Sequence, residues 1–252
     1  MPAPLKRVHF ICAGRYHDFD FVRLEMLKLF AEHDNVRVTV GSDYSDSDAL
    51  ANCDALVTYT SDVIPDEEQI DELAALLRAD KRWFALHGTN ALLHYEKHRG
   101  WVAPHAARRF FEMLGSQFVA HPPMKPFLVE PCARHPLVNG IGPFEAEDEI
   151  YLCRFFGEHD ALLETQFSGE APGFDESNWT DLERVPIMYL HPWEDNEVLY
   201  LNLGHARGHY DMQPLTDWYK TQEGGSWKQP AFYELLRRGI RWSLSDPEYF
   251  DG

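Results

Sequence analysis

The chain has 252 residues, enough to bury a sizeable core without disulfides or metal staples, so stability alone need not explain any cluster of reactive side chains. Its 23 Lys and Arg against 41 Asp and Glu give a net charge of −18 with no basic cluster to offset it, which argues against nucleic acid or an anionic membrane as partner and leaves room only for a local basic pocket for a small anion. Cys12, Cys53, Cys132 and Cys153 form no CxxC pair and read as reduced thiols; with an amino-terminal apolar stretch (MPAPLKRVHFICAG) too short for a signal-peptide core and no run of membrane-spanning length, the cytoplasm is the expected compartment.

Val8 to Cys12 is a short apolar run ended by Gly14, the pattern of a buried parallel strand. Phe19, Val22, Met26, Leu27 and Phe30 then fall at helical spacing, with Asp18 or Asp20 as cap. Val36 to Val40 and Ala55 to Tyr59 read as strands. Ile70, Leu73, Ala74 and Leu77 mark one face of a helix after Pro65, and Trp83 to Leu86 is the next strand. This alternation predicts an α/β fold, a mainly parallel sheet with helices on both faces.

The second half is less regular. Phe127 to Glu130, Ile150 to Phe155, Ala161 to Gln166, Ile187 to Leu190 and Val198 to Leu203 read as strands, some of them antiparallel additions. Ser168 to Arg184 is polar enough for a long surface loop, and Phe232, Leu235, Leu236 and Ile240 mark a closing amphipathic helix. No internal repeat interrupts the chain, and residues 1–252 read as a single domain.

Histidine is frequent, at 13 residues, and its placement is informative. His17 lies in the loop after the first strand, His87 directly follows Trp83 to Leu86, and His205 follows Val198 to Leu203. Ligands of open parallel sheets bind outside the carboxyl ends of strands, so these three can converge there. A single histidine after a strand often only bonds a loop carbonyl; three at equivalent strand ends suit acid/base work or metal binding. His87-Gly88-Thr89 has the form of a nucleophile elbow, yet histidine is a poor acyl-transfer nucleophile and no G-x-S-x-G occurs.

His121 and His135 each precede a proline in a turn; His135 reads as structural and His121 as a candidate for lining a site. In EAEDEIYLC, Glu145 and Glu147 read as a solvated face, while Asp148 or Glu149, at the start of the following strand, could orient a histidine or accept sugar hydroxyls alongside Tyr151. Arg207 is a candidate for recognising a carboxylate or hydroxyl, against a plain surface ion pair. The chain lacks a phosphate loop, a G-x-G-x-x-G after the first strand, an H-E-x-x-H and an EF-hand loop, so nucleotide hydrolysis, a nucleotide cofactor and zincin proteolysis lose support.

Taken in order, GRYHDF at 14–19, FALHGTNALL at 84–93, ARHPLVNGI at 133–141, EDEIYL at 147–152, LYLNLGHARG at 199–208 and LLRRGIRWSL at 235–244 resemble the ThuA-like family, named for trehalose utilisation, over nearly the whole chain. The resemblance implies a flavodoxin-like, three-layer core of the class I glutamine amidotransferase-like superfamily. His87 stands where an amidotransferase has its cysteine, so that activity is not carried over. It further implies a role in the breakdown of trehalose or related disaccharides through keto-sugar intermediates, and a pocket formed by His17, Asp18, His87, Gly88, Asp148, Glu149, Tyr151 and His205. The segment FVAHPPM at 118–124 departs from the more glycine-rich pattern expected before His121.

The expected function is an enzyme acting on a disaccharide or keto-sugar, with His17, His87, Glu149 and His205 catalytic and Asp18, Gly88, His121, Asp148, Tyr151 and Arg207 binding substrate. A divalent metal is a candidate cofactor with unassigned ligands. A non-catalytic carbohydrate-binding or partner protein and a metal-assisted hydrolase are the alternatives. The expected partner is a small sugar or sugar derivative, and a homo-oligomer is a candidate assembly. Trp218, Tyr219 and Trp227 are candidates to cover the pocket, against simple packing on the sheet.

Overall fold

The computed structural model describes residues 3–182 and 184–245, so Met1 and Pro2 of the amino-terminal reading and Glu183 of the 168–184 excursion lie outside the described residues. The first half alternates as its apolar pattern dictates: β1 (Lys6–Gly14), α1 (Phe19–Phe30), β2 (Val36–Gly41), α2 (Ser47–Asn52), β3 (Ala55–Ser61), α3 (Glu67–Arg78) and β4 (Arg82–Leu86). Asp18 caps α1 through the Phe21 amide, and Asp66 with Gln69 forms a capping box on α3. A short 3-10 turn follows at His87–Asn90, then the hairpin β5 (His94–Glu96) and β6 (Gly100–Val102), α4 (Arg108–Leu114) and β7 (Ser116–Ala120).

The second half supplies β8 (Lys125–Pro131), β9 (Phe144–Asp148), β10 (Leu152–Phe155), β11 (Asp160–Gln166), the small pair β12 (Gly169–Glu170) and β13 (Asn178–Trp179), then β14 (Arg184–Trp193), β15 (Asn196–Leu201) and α5 (Pro230–Ser243). Nine strands form one sheet in the order β2-β1-β3-β4-β15-β14-β11-β8-β9. The first five are mutually parallel, and every later joint is antiparallel.

The sheet is therefore mixed, correcting the expectation of a mainly parallel one. Strands buried on both faces show the same continuous apolar run in either direction. Direction is set by connections, and β14 reaches β15 through a tight turn at Glu194–Asp195 that only an antiparallel pair allows.

In the parallel half successive residues alternate between two cores. Phe10, Val57, Phe84 and Leu199 face α1 and α5, while Ile11, Leu56, Trp83 and Tyr200 face α2, α3 and α4. That gives the expected three layers. β8 meets β11 only at Pro131 and Glu130, whereas its other end, Lys125, pairs with Asp148 of β9. The β8–β9 hairpin is thus tied to the sheet at one end only, and its other end delivers residue 149 to the strand ends of the parallel half.

Candidate active site

β1, β4 and β15 are parallel, so His17, His87 and His205, which follow them, emerge at one edge. Four antiparallel joints return β9 to the same direction, and Glu149 follows its last residue. His87 takes a left-handed backbone (φ 44°), and Gly88 is needed beside it because a Cβ there would meet the Thr60 carbonyl at 2.6 Å. The elbow is braced by Tyr200, whose hydroxyl donates to the His87 carbonyl, and by the Thr89 hydroxyl donating to the Leu86 carbonyl at 2.8 Å.

The convergence is close. One nitrogen from each of His17, His87 and His205 and one oxygen of Glu149 lie within 4.8 Å of one another, and all four residues are buried. His17 Nδ1 lies 3.0 Å from the Arg15 carbonyl, and His87 Nδ1 lies 2.7 Å from the Asn202 carbonyl. A carbonyl only accepts, so each Nδ1 carries the proton and each Nε2 presents a lone pair. The two Nε2 atoms are 3.0 Å apart, and the Tyr151 hydroxyl donates to His87 Nε2 at 3.0 Å.

His205 is oriented the other way. Its Nε2 donates to Glu223 Oε2 at 2.9 Å, and its Nδ1, 3.3 Å from Glu149 Oε1, has no hydrogen-bond partner. Burial opposes charge on this ring, but Glu149 and Glu223 outweigh it and raise its pKa to about 9. Burial lowers His87 to about 4 against the opposing charges of Asp148 and Glu149. Burial, then His87 and His205, hold His17 well below the ordinary imidazole range. For Glu149 burial favours the acid, yet His121, His205 and Arg207 prevail and keep it ionised.

The cluster opens on a cavity of about 130 Å³ whose polar lining is His17, Ser61, His121, Glu149, Tyr151 and Arg207. His87 and His205 stand one layer behind it. The apolar lining comes from Tyr16, Trp101, Phe118 and Phe174. His121 lines the cavity despite its unusual flanking segment: Nδ1 donates to the Pro122 carbonyl at 2.9 Å, and Nε2 faces Glu149 Oε1 at 3.4 Å. Arg207 is no surface ion pair. It bonds Glu223 at 2.7 Å and the Tyr16 carbonyl at 2.9 Å, and reaches Glu149 at 3.5 Å.

Three expected substrate contacts do not line this cavity. Asp18 caps α1 and borders a second cavity beside Trp227 and Tyr233. Gly88 is packed under β3. Asp148 is the inward residue at the end of β9, and its carboxylate is occupied by the amides of Glu149, Gly204, His205 and Ser226, so it clamps three loops together.

The proposed aromatic cover also differs. Trp218 stacks on His209 at 3.9 Å, Tyr219 bonds Glu223, and Trp227 is buried and bonds the Gly204 carbonyl. The cover comes instead from Tyr16, from Trp101 on β6, and from Phe174, inside the segment read as a surface loop. Trp101 and the 173–175 backbone bond each other in both directions at 2.9 Å, and Arg99 binds Asp175 through two nitrogens at 2.9 and 2.7 Å. Glu223 and these aromatics were not legible as site residues, because no periodic pattern surrounds them.

The family model described as trehalose utilisation, ThuA, matches residues 13–220. Among solved structures, one described as a ThuA-like protein from Bacteroides uniformis superposes with a TM-score of 0.67 at 17% identity, covering 98% of this chain and 94% of that one. Another ThuA-like protein, from Parabacteroides merdae, gives 0.59 at 15% identity over 96% and 91%. An α-L-fucosidase isoenzyme 2 from Paenibacillus thiaminolyticus gives 0.52 at 12% identity, over 97% of this chain but 34% of that one. At these identities the structural likenesses concern the fold. Comparison with curated proteins finds no match.

Proposed function

The chain belongs to the ThuA family, and on that premise we propose that it is an enzyme of sugar metabolism acting on a sugar or keto-sugar in the cavity over the histidine cluster. The observation that carries this reading is the convergence of His17, His87, His205 and Glu149, from four strand ends, behind a small aromatic-lined cavity. At about 130 Å³ the cavity lies below the roughly 300–1,000 Å³ of drug-sized sites and suits one small ring, whose apolar face packs on Trp101 or Phe174.

In this reading the Arg207 guanidinium at the cavity wall supplies positive charge toward a carbonyl oxygen, and His121 moves the proton of the adjacent carbon. His121 Nε2 has a lone pair at the cavity wall, and Glu149 beside it steadies the imidazolium that forms. Tyr151, its proton committed to His87, accepts from a hydroxyl of the sugar. Free cysteines at all four positions support a reducing compartment such as the cytoplasm, and no helix among the described residues is long and apolar enough to cross a membrane.

The test is proton exchange in deuterated water with a panel of keto-glucosides and keto-disaccharides, followed by NMR. Exchange next to the carbonyl is expected, falling about 100-fold or more in His121→Ala, the usual range for loss of a general base. Saturable sugar binding with neither exchange nor product would replace the enzyme by a binding protein.

A further inference from the structure

We propose that His17 Nε2, His87 Nε2 and His205 Nδ1, together with Glu149, hold a divalent transition-metal ion of the zinc class. The argument starts from hydrogen positions. With both Nδ1 protons committed to backbone carbonyls, the His17 and His87 Nε2 lone pairs point at each other across 3.0 Å. A hydrogen bond between them would need a second proton, hence a charge, on one of two fully buried rings. Tyr151 has one proton to give and reaches only His87. Something positive belongs between the rings.

The third ring repeats the pattern. Glu223 takes the Nε2 proton of His205, and the completely buried Nδ1, with no partner, faces the same point. Each imidazole is thus turned by an acceptor on its far nitrogen, Arg15 O, Asn202 O or Glu223, which is how metal-bound histidines are held.

The spacing agrees. Four ligands at about 2.0–2.1 Å from a tetrahedral ion lie about 3.3–3.4 Å apart. The observed separations are 3.0 Å (His17–His87), 3.3 Å (His205 to Glu149 Oε1) and 3.7 Å (His87 to Glu149 Oε2), and the four ligand atoms all lie within 4.8 Å of one another, so a modest inward movement of the side chains completes the shell. Three imidazole nitrogens, His205 releasing its Nδ1 proton as the ion binds, and one carboxylate suit zinc, cobalt or iron(II) better than calcium or magnesium, which prefer oxygen. Glu149 and His17 border the cavity, so an oxygen of a bound molecule can approach the ion from that side.

The experiment uses the full chain without a histidine tag, stripped with EDTA and titrated with Zn²⁺ by calorimetry and with Co²⁺ by visible absorption, in the absence of any sugar. One ion per chain is expected, with the intense cobalt bands of a four- or five-coordinate site. His17→Ala and His205→Ala, each checked for native circular dichroism, should bind at least 100-fold more weakly, and His94→Ala, an exposed control, should bind as the parent.

No saturable uptake by the parent protein overturns the proposal, as does unchanged affinity in both site variants. If neither variant folds, the parent's cobalt spectrum decides, and weak octahedral bands overturn it. Uptake is read without substrate, so failure here is distinct from failure of the exchange experiment.

Discussion

Glu223 decides which nitrogen of His205 faces the cluster, because its carboxylate takes the Nε2 proton and turns Nδ1 toward Glu149. It also holds Arg207 and receives the Tyr219 hydroxyl, so its position is fixed from three sides. Glu223→Ala should free the ring to rotate and weaken metal uptake by about 10- to 100-fold, with exchange activity falling in parallel. Glu223→Gln should restore most of both, since the amide oxygen still accepts from Nε2; a glutamine variant as impaired as alanine would show that charge, not tautomer, is what Glu223 supplies. The histidines were legible in the sequence because each lies at or shortly after the carboxyl end of an apolar strand run, whereas Glu223 sits among polar residues with no pattern. The pair Asp148 and Glu149 shows a subtler limit. Sequence placed both at the entry of the strand that follows, but only the register of β9 tells that Asp148 points inward to backbone amides while Glu149 lies past the last pair.

At the level of elements, β1 to β4 and helices α1, α3 and α5 follow directly from apolar periodicity. The acidic run at 144–148 is itself a strand: Ala146 and Asp148 are buried and Glu145 and Glu147 exposed, an alternation hidden by the charge of three of its five residues. The following strand begins at Leu152 rather than Ile150 and pairs with β7, outside the main sheet. Polar loops bonded to each other, such as β12 with β13, carry no periodic signal at all. α5 crosses β4 closely at Gly239, where a Cβ would stand 2.3 Å from the Phe84 ring. Gly239→Ala should therefore force α5 outward at about 1–3 kcal/mol, the usual cost of overpacking. For a chain of this size that corresponds to a melting temperature roughly 2–12 °C lower, readable by calorimetry. No change would mean that the helix slides freely on the sheet.

At the scale of the whole molecule, the cavity is closed by parts far from the strand ends that build the cluster. The β5–β6 hairpin and the 171–175 segment are joined by Arg99 and Asp175 and by Trp101 backbone bonds, which holds Phe174 and Trp101 over the opening. Asp175→Asn should loosen this cover and raise KM about tenfold while leaving kcat nearly unchanged; a fall in kcat with KM constant would tie the cover to the chemical step instead. The order of strands in the sheet has a kinetic side as well. β15 lies between β4 and β14, although more than a hundred residues separate β4 from β15 along the chain. Closing that loop is costly and belongs to the slow part of folding. Until it closes, His205 is absent from the cluster and His87 lacks the Asn202 carbonyl that takes its Nδ1 proton. Whatever occupies the site therefore meets the chain only after its slowest pairing, and acts as a latch on unfolding rather than a guide to folding.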